Sequence, residues 1–225
     1  DNWYRSHGNH SSNRFSELKL ININNIQNLE VAWLFKSGEP QSIQCNPIII
    51  DGIIYVTQSP SQPLPTRACL LQEKLKITQN SLAFDINQGC SGFIYALSLA
   101  SSLIKNNCAS RIIIICADHY SKYISLNDRT SRPIFSDAAA AVIIENSEQN
   151  HIGPFVFKTN GSGGDFLTVN KLNEKFNLYM DGPAVLKFSL GLVPEATSEL
   201  LESTGLTISQ IDNFIFHQAS AVVLN

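Results

Sequence analysis

The feature that most constrains this chain is the stretch 81–93, S-L-A-F-D-I-N-Q-G-C-S-G-F. Its mostly apolar run from Leu82 to Ile86 predicts a buried strand, and the apolar residues at helical intervals after Cys90 predict a helix. Gly89 and Gly92 flank the cysteine, and glycine is the residue for which close backbone approach and positive φ cost least. The stretch therefore predicts a strand that turns sharply into a helix, with Cys90 at the helix N-terminus.

A cysteine in that position is expected to be reactive. Unpaired backbone N–H groups and the positive end of the helix dipole favour thiolate over thiol, and the same N–H groups can bind an oxyanion. The alternative is a small buried hydrophobe, which is the usual role of a cysteine in a reducing cell. The strand-to-helix context favours the reactive interpretation, so Cys90 is the candidate nucleophile.

Composition limits what the rest of the chain can do. Of the 225 residues, 44% are hydrophobic and 16% are charged, which allows a sizeable core in one large or two small domains. A net charge of −3 gives no electrostatic footprint for nucleic acid or for an anionic membrane surface. The longest apolar runs are much shorter than a membrane-spanning helix requires. The five cysteines, with no C-x-x-C pair, indicate a reduced, cytoplasmic protein.

The remaining cysteines and most histidines are expected to be inert. Cys69 is placed in the core side of an amphipathic helix, Cys116 in a buried strand and Cys108 near a helix end. Four histidines lack any catalytic context, namely His7, His10, His119 and His151. No cysteine and histidine spacing predicts a metal site.

From residue 62 onward the pattern predicts an α/β domain. Helices are expected at 64–75, 90–106 and 183–204, and Gly205 ends the last of them. Strands are expected at 81–86, 111–117 and 138–145, with 152–159 beside the last of these and 211–216 ending at His217. The glycine-rich stretch 161–164 is interpreted as a loop, because no strand-to-helix context with a lysine follows it.

The first 56 residues have a different character. They contain short β-like runs separated by turn residues, with a plausible strand at 31–35. Asp51-Gly52, between the apolar runs 47–50 and 53–56, is typical of a hairpin turn. A β-rich segment therefore precedes the α/β domain.

Three runs carry a resemblance to a known family: D-I-N-Q-G-C-S-G-F-I-Y-A-L-S-L-A, N-D-R-T-S-R-P-I-F-S-D-A-A-A-A-V-I-I and I-F-H-Q-A-S. They resemble ketoacyl-ACP synthase III of the thiolase-like superfamily, over about 57–225. The resemblance implies an α/β fold, as an incomplete thiolase-like layered α-β-α arrangement. Residues 1–56 resemble the start of a pyrroloquinoline-quinone dehydrogenase β-propeller, so the chain is interpreted as a chimera. Alternatively, residues 1–56 replace missing strands of the synthase.

The synthase resemblance implies an acyltransferase that makes 3-oxoacyl-ACP from an acyl-CoA and malonyl-ACP through an acyl-cysteine. It assigns catalysis to Cys90 and to His217 of F-H-Q-A-S, and CoA binding to Arg129 and Gly182. Arg129 has the alternative of a surface ion pair with Asp128, and Pro183 departs from the asparagine of some members. The implied partners are acyl-CoA and acyl carrier protein, with a homodimer when the protein is complete and no resident cofactor.

The family's third catalytic residue is an asparagine that follows the histidine at a distance. The chain ends at Asn225 without matching that motif, so the resemblance predicts that the chain as it stands is inactive. Two other functions stay open. One is a related polyketide-type or hydroxymethylglutaryl-CoA-type condensing enzyme. The other is a quinoprotein dehydrogenase fragment, or a non-catalytic propeller-like module, for which pyrroloquinoline quinone would be the cofactor.

Overall fold

The computed structural model describes residues 20–31, 48–149, 151–172 and 175–219. The chain divides into two compact units, 1–49 and 50–225. Of the first unit, the described residues include one 3-10 turn, Ile26–Asn28. Most of the strand expected at 31–35 lies outside the described residues, and the propeller-like character of 1–56 stays a prediction.

A four-stranded sheet organises the second unit. Its strands are β1 (Gly52–Val56), β2 (Leu82–Ile86), β3 (Arg111–His119) and β4 (Asp137–Glu145), in the spatial order β2-β1-β3-β4. β1 pairs in parallel with both β2 and β3, whereas β4 runs antiparallel to β3. The isoleucine run of β3 suits this position, because a strand covered on both faces needs apolar side chains at successive residues.

Helices cover both faces of the sheet. α2 (Gly92–Lys105) packs its alanines, Ala96 and Ala100, against a buried cluster that includes Ile54 and Ile114. Asp85 points to the opposite face, because it is in register with Tyr55, the next residue after Ile54. There its carboxylate accepts the first backbone N–H groups of α1 (Arg67–Lys74), at 2.7 and 2.8 Å. The mixed α/β layering expected from the sequence is confirmed.

The Asp51-Gly52 pair is not a hairpin turn, so that prediction was wrong. Gly52 begins the central strand β1, and the carboxylate of Asp51 accepts the backbone N–H groups of Ser110 and Arg111, each at 2.7 Å. The backbone of Asp51 also pairs with Arg111 and Leu82 on the two neighbouring strands. β1 thus belongs to the second unit, whose boundary at 49/50 lies earlier than the predicted join at 56/57.

The C-terminal part of the second unit contains a hairpin and a long helix. The hairpin strands β5 (Leu167–Leu172) and β6 (Lys175–Met180) were not predicted. α3 (Gly182–Thr204) agrees with the prediction, since Asp181 caps its start and Gly205 ends it with a φ of 68°. The glycine-rich stretch predicted as a loop forms a 3-10 turn, Gly161–Phe166.

Two predicted strands are absent from the described residues. Residues 152–159 instead span from α2 to α3: Phe157 packs on Tyr95 with ring centroids 4.7 Å apart, and Lys158 binds Glu195 and Glu199 at 2.6 and 2.7 Å. Residues 211–216 form no strand either, and Ile215 is 91% exposed. A strand requires a neighbour for its backbone groups, and neither segment pairs with the sheet.

α3 is the longest helix among the ranges given above. None of the helices in those ranges combines the length with the apolar character that a bilayer span requires.

Candidate active site

Cys90 lies in the turn that joins β2 to α2. The turn is closed by a 2.8 Å hydrogen bond from the N–H of Gly92 to the carbonyl oxygen of Gly89. α2 begins at Gly92, and Ser91 is its N-cap residue, although the serine side chain makes no capping bond. Cys90 therefore lies one residue before the N-cap, close to the helix N-terminus but outside its first turn. The predicted strand-to-helix turn is confirmed.

Both glycines of the turn lie close to neighbouring side chains, and the contact at Gly92 is the one that requires glycine, because the Gln58 side chain near Gly89 is flexible. A Cβ on Gly92 would collide with the Val56 side chain at the end of β1. A Cβ on Gly89 would lie 2.5 Å from Oε1 of Gln58. Neither glycine has the positive φ that the sequence also allowed. The turn thus packs directly on the end of β1 and on the residues that follow it.

Those residues, Thr57–Ser59, form a strap that is bound to the end of β3 by Asp118. One carboxylate oxygen, Oδ1, accepts the Thr57 hydroxyl at 2.9 Å, the Gln58 backbone N–H at 2.8 Å and the Ser59 hydroxyl at 2.7 Å. The Ser59 hydroxyl oxygen in turn accepts the N–H of His119 at 2.7 Å. The ends of β1 and β3 are therefore joined beside the cysteine turn, at the carboxyl edge where ligands bind in open α/β sheets.

Tyr120 closes this cluster on the β3 side. Its hydroxyl donates to Oε1 of Gln58, and its ring stacks on Phe135 with centroids 5.1 Å apart. Burial, followed by the charges of Asp118 and Cys90, raises the pKa of Tyr120 to about 12. The phenol therefore stays protonated near neutral pH and acts as a hydrogen-bond donor beside the cysteine.

The Cys90 thiol is more strongly protonated than the sequence predicted. The residue is exposed, but protein atoms around its sulfur raise the pKa by desolvation, its own backbone N–H lowers it, and the negative charge of Asp118 raises it further. The net shift is upward. The prediction of a favoured thiolate is thus not met here, because burial and the charge of Asp118 outweigh the backbone N–H, and Cys90 precedes the first helical turn.

The other predicted site residues lie on separate elements. His217 is exposed in the segment after the last 3-10 turn, and among the described residues no hydrogen bond or ion pair joins it to Cys90. Arg129 is exposed in the turn after Asp128. Gly182 is the first residue of α3, with open space where a Cβ would lie. The catalytic role of His217 and the CoA-binding roles of Arg129 and Gly182 stay predictions.

Arg129 forms no ion pair with Asp128 within the described ranges. The Asp128 carboxylate instead binds its own turn, accepting the N–H groups of Thr130 and Ser131 at 2.8 and 3.0 Å. The Arg129 guanidinium is therefore not held by that carboxylate.

The remaining cysteines and histidines differ partly from expectation. Cys69 is exposed, so its placement in the core was wrong; its thiol approaches the carbonyl oxygen of Ala83 at 3.9 Å. Cys116 is half-buried in β3, and Cys108 is exposed after the end of α2. His119 faces Asp137 at 3.5 Å. In the described part of the chain no group of these side chains could hold a metal ion.

A cavity of about 860 Å³ adjoins the far end of the strap rather than Cys90 itself. Its walls include Pro60, Lys122, Tyr123 and Phe176. The Lys122 ammonium is already bound, by the carbonyl oxygens of Ser59 and Pro60 at 2.7 and 2.9 Å. The cavity is therefore a neighbour of the cysteine site and not its centre.

Sequence reasoning missed three residues of the cysteine site: Gln58, Asp118 and Tyr120. A signal was available for two of them, because Asp118 and Tyr120 fall at the end of the isoleucine-rich strand, where polar groups of an α/β sheet gather. Gln58 gave no such signal, since the segment that contains it was assigned to the junction of two modules.

Comparison with known proteins gives consistent matches for this chain. The sequence model described as 3-oxoacyl-[acyl-carrier-protein (ACP)] synthase III matches residues 84–161, which include Cys90, Asp118 and Tyr120. A beta-ketoacyl-[acyl-carrier-protein] synthase III from Neisseria gonorrhoeae is 34% identical over 181 residues, covering 78% of this chain and 57% of the relative. The chain thus spans little more than half the length of the curated relatives that it matches.

Solved structures agree with the sequence match. A crystal structure of a 3-oxoacyl-(acyl-carrier-protein) synthase III is 38% identical, with a TM-score of 0.70 over 78% of this chain and 59% of that one. The synthase III from Thermus thermophilus is 30% identical, with a TM-score of 0.71 over 78% and 57%. A priming β-ketosynthase from the R1128 polyketide pathway is 26% identical, with a TM-score of 0.72 over 78% and 55%.

Proposed function

Because the chain belongs to the 3-oxoacyl-[acyl-carrier-protein] synthase III family, we propose that it is an acyltransferase that condenses an acyl-CoA with malonyl-ACP. This reaction would begin fatty acid synthesis. The observation that carries the proposal is Cys90 in a strand-to-helix turn at the carboxyl edge of a parallel sheet, within the matched segment 84–161. A nucleophile in that position can receive an acyl group while backbone N–H groups face the carbonyl oxygen.

In the first half-reaction the Cys90 sulfur attacks the thioester carbon of acyl-CoA. A C–S bond forms, the C–S bond to CoA breaks, and the thiol proton passes to the departing CoA sulfur. Because the pKa of Cys90 is raised by burial and by Asp118, a group that accepts this proton would assist the attack. An imidazole is well suited to carry it, and His217 is the proposed carrier.

In the second half-reaction malonyl-ACP loses carbon dioxide. The C–C bond to its carboxylate breaks, and the resulting enolate attacks the carbonyl carbon of acyl-Cys90. A new C–C bond forms and the bond to the Cys90 sulfur breaks, which releases 3-oxoacyl-ACP. The departing thiolate then takes a proton from solvent, which restores the Cys90 thiol. The enolate oxygen carries negative charge, which a protonated or neutral imidazole donor at His217 would stabilise.

Arg129 and Gly182 are proposed to bind CoA. The planar guanidinium of Arg129 can stack on adenine. Arg129 is exposed, and among the described residues its guanidinium forms no ion pair with Asp128. The open space at Gly182 is compatible with a pantetheine chain. We further propose that acyl carrier protein and a second copy of this chain are partners. The site of action is proposed to be the cytoplasm, where five cysteines would stay reduced.

Isotope exchange tests the acyl-cysteine intermediate. The protein is incubated with acetyl-CoA and radiolabelled free CoA, with no malonyl-ACP present. A ping-pong enzyme moves label into acetyl-CoA through acyl-Cys90. This half-reaction precedes the condensation that the sequence predicts to be inactive, so we expect exchange that Cys90→Ala abolishes. Cys108→Ala is the matched control, because that cysteine is also exposed but lies at the opposite end of α2. No exchange, or equal exchange in both variants, would overturn the proposal.

A polyketide-type condensing enzyme is a second candidate. It is supported by the 26% identity to the priming β-ketosynthase noted above. The chemistry at Cys90 would be the same, and the difference would lie in the carrier protein. Supplying acyl carrier proteins from both types of pathway, and comparing which one receives the acyl group from Cys90, separates the two functions.

A further inference from the structure

We propose that Asp118 is a positioning residue for Cys90, which binds the Thr57–Ser59 strap against the cysteine turn and keeps a negative charge beside the thiol. The inference deepens the proposed function, because it rests on Cys90 being the reactive group. It concerns how the surrounding structure controls that group, and it assigns Asp118 no contact with substrate.

The positioning is carried by a chain of contacts. Asp118 holds Gln58 through the 2.8 Å bond to its backbone N–H, and it holds both flanking hydroxyls, at Thr57 and Ser59. The side chain of Gln58 then reaches over the turn, where its Oε1 lies 2.5 Å from the place of a Gly89 Cβ. Releasing the strap would therefore free the contact that lies directly before Cys90.

The same strap fixes Tyr120. Its hydroxyl donates to the Gln58 side-chain oxygen, so the phenol and the cysteine turn share one partner. A single carboxylate thus orients groups from three segments: the end of β1, the turn before α2 and the turn after β3. Thr57 and Ser59 are buried and Gln58 is exposed, and Oδ1 of Asp118 accepts from all three residues.

The charge of Asp118 adds to the effect of burial on the thiol. Asp118 raises the pKa of Cys90, and it likewise raises the pKa values of Cys116 and Tyr120 after burial. The other charged groups nearby are already paired: the Lys122 ammonium binds strap carbonyl oxygens, and His119 faces Asp137. The strap itself contributes no titratable side chain. Asp118 is therefore the side-chain charge that adds to burial in raising the pKa of Cys90.

Positioning of the strap together with a charge near the thiol explains an aspartate at position 118 better than hydrogen bonding to the strap alone. An asparagine could accept the same three hydrogen bonds through its side-chain oxygen. What only aspartate adds is the charge, which raises the pKa of the Cys90 thiol beyond the effect of burial. A protonated thiol is less open to oxidation and to stray electrophiles than a thiolate.

The test measures thiol ionisation rather than turnover. Alkylation of Cys90 by iodoacetamide is followed across pH by peptide mass spectrometry, in the parent protein, Asp118→Asn and Asp118→Ala. Asp118→Asn keeps the side-chain oxygen that accepts the strap hydrogen bonds and removes the charge, so we expect unchanged folded stability. We also expect the pH profile of Cys90 alkylation to move to lower pH, with several-fold faster alkylation at neutral pH. Asp118→Ala is expected to show the same direction of shift together with a lower thermal midpoint.

Asp137→Asn is the matched control. Asp137 is another carboxylate at the same end of the sheet, bound to Ser121, and it is not among the charges that shift Cys90. An unmoved profile in Asp118→Asn, or an equal shift in Asp137→Asn, would overturn the inference and leave the proposed function standing. If Cys90 resists alkylation at every pH in every variant, both the inference and the proposed function are contradicted.

Discussion

The carboxylate of Asp51 holds neighbouring strands together at the amino end of the sheet. It accepts the N–H groups of Ser110 and Arg111, where the chain enters β3 from the end of α2. Burial acts to raise the pKa of Asp51, but these backbone donors outweigh it and lower the pKa overall. The hydrogen bonds of the folded state therefore favour the ionised form of Asp51 more than the unfolded chain does.

We expect Asp51→Ala to destabilise the protein by roughly 1–3 kcal/mol, because two backbone donors lose their acceptor. Urea denaturation followed by circular dichroism measures the change. Asp165→Ala is the control, since Asp165 is exposed in a 3-10 turn far along the chain. Equal midpoints for the two variants would show that the Asp51 bonds contribute nothing to stability.

At this scale the sequence identified Cys90 but not the residues around it. The glycines on either side of Cys90 predict a tight turn, and this signal is local because it lies within a few residues of sequence. Asp118 and Gln58 reach the same site from segments 60 residues apart, and no local pattern records that pairing. Asp51 was misread for the same reason, because Asp-Gly is a hairpin signal only when the flanking strands pair with each other.

Among the elements, α2 depends most on a single small residue. Its first residue, Gly92, packs against Val56 at the end of β1. We expect Gly92→Ala to destabilise the protein by roughly 1–3 kcal/mol, because an added methyl group in a packed contact forces backbone shifts. The change would also push the cysteine turn away from the strap, so Cys90 alkylation should change together with stability.

Gly191→Ala provides the contrast within another helix. No atom lies within 4 Å of the place of its Cβ in α3. We expect this variant to be neutral or stabilising by about 0.5–1 kcal/mol, since alanine is the better helix former. Thermal unfolding of both variants measures the difference, and a Gly92→Ala protein as stable as Gly191→Ala would contradict the packing described for the turn.

Elements with strong local signals were predicted well. β3 carries consecutive isoleucines, and α3 has a capping aspartate and a terminal glycine, so both lie close to their expected bounds. The segments 152–159 and 211–216 contain the same kinds of residues as strands, but whether they pair depends on a neighbouring edge. The composition of a segment does not show whether a neighbouring strand is available to pair with it, which is why both predictions were wrong.

At the scale of the whole molecule, three aspartates make the stability of the fold vary with pH in the acid range. Besides Asp51, the pKa of Asp128 is lowered by the Ser131 N–H and the Thr130 hydroxyl, and that of Asp137 by the Ser121 hydroxyl and N–H. A folded pKa below the unfolded value of 3.8 means that the stabilisation is complete above that value and is lost as pH falls through the folded pKa values.

We therefore expect the thermal midpoint to be steady near neutral pH and to fall progressively below about pH 4. Asp51→Asn should flatten part of this decline, because one of the three linked protons is removed. Calorimetry at constant ionic strength measures both profiles. A midpoint that rises on acidification, or an unchanged slope in the variant, would be inconsistent with these hydrogen-bonded carboxylates.

The overall architecture could be predicted because alternating helix and strand patterns from residue 62 onward require a layered α/β fold. The strand order could not, since β1 was assigned to the N-terminal segment and its place between β2 and β3 depends on contacts distant in sequence. Because β1 belongs to the α/β sheet, the propeller-like identity stays a prediction only for the residues before it.

The central claim is that Cys90 is the acyl acceptor. The most direct measurement is peptide mass spectrometry after incubation with acetyl-CoA, which compares acetylation at every cysteine. The account predicts an acetyl thioester on the Cys90 peptide and none on Cys69 or Cys108, although both of these thiols are exposed. Absence of the adduct at Cys90, or equal acetylation of all three cysteines, would contradict the account.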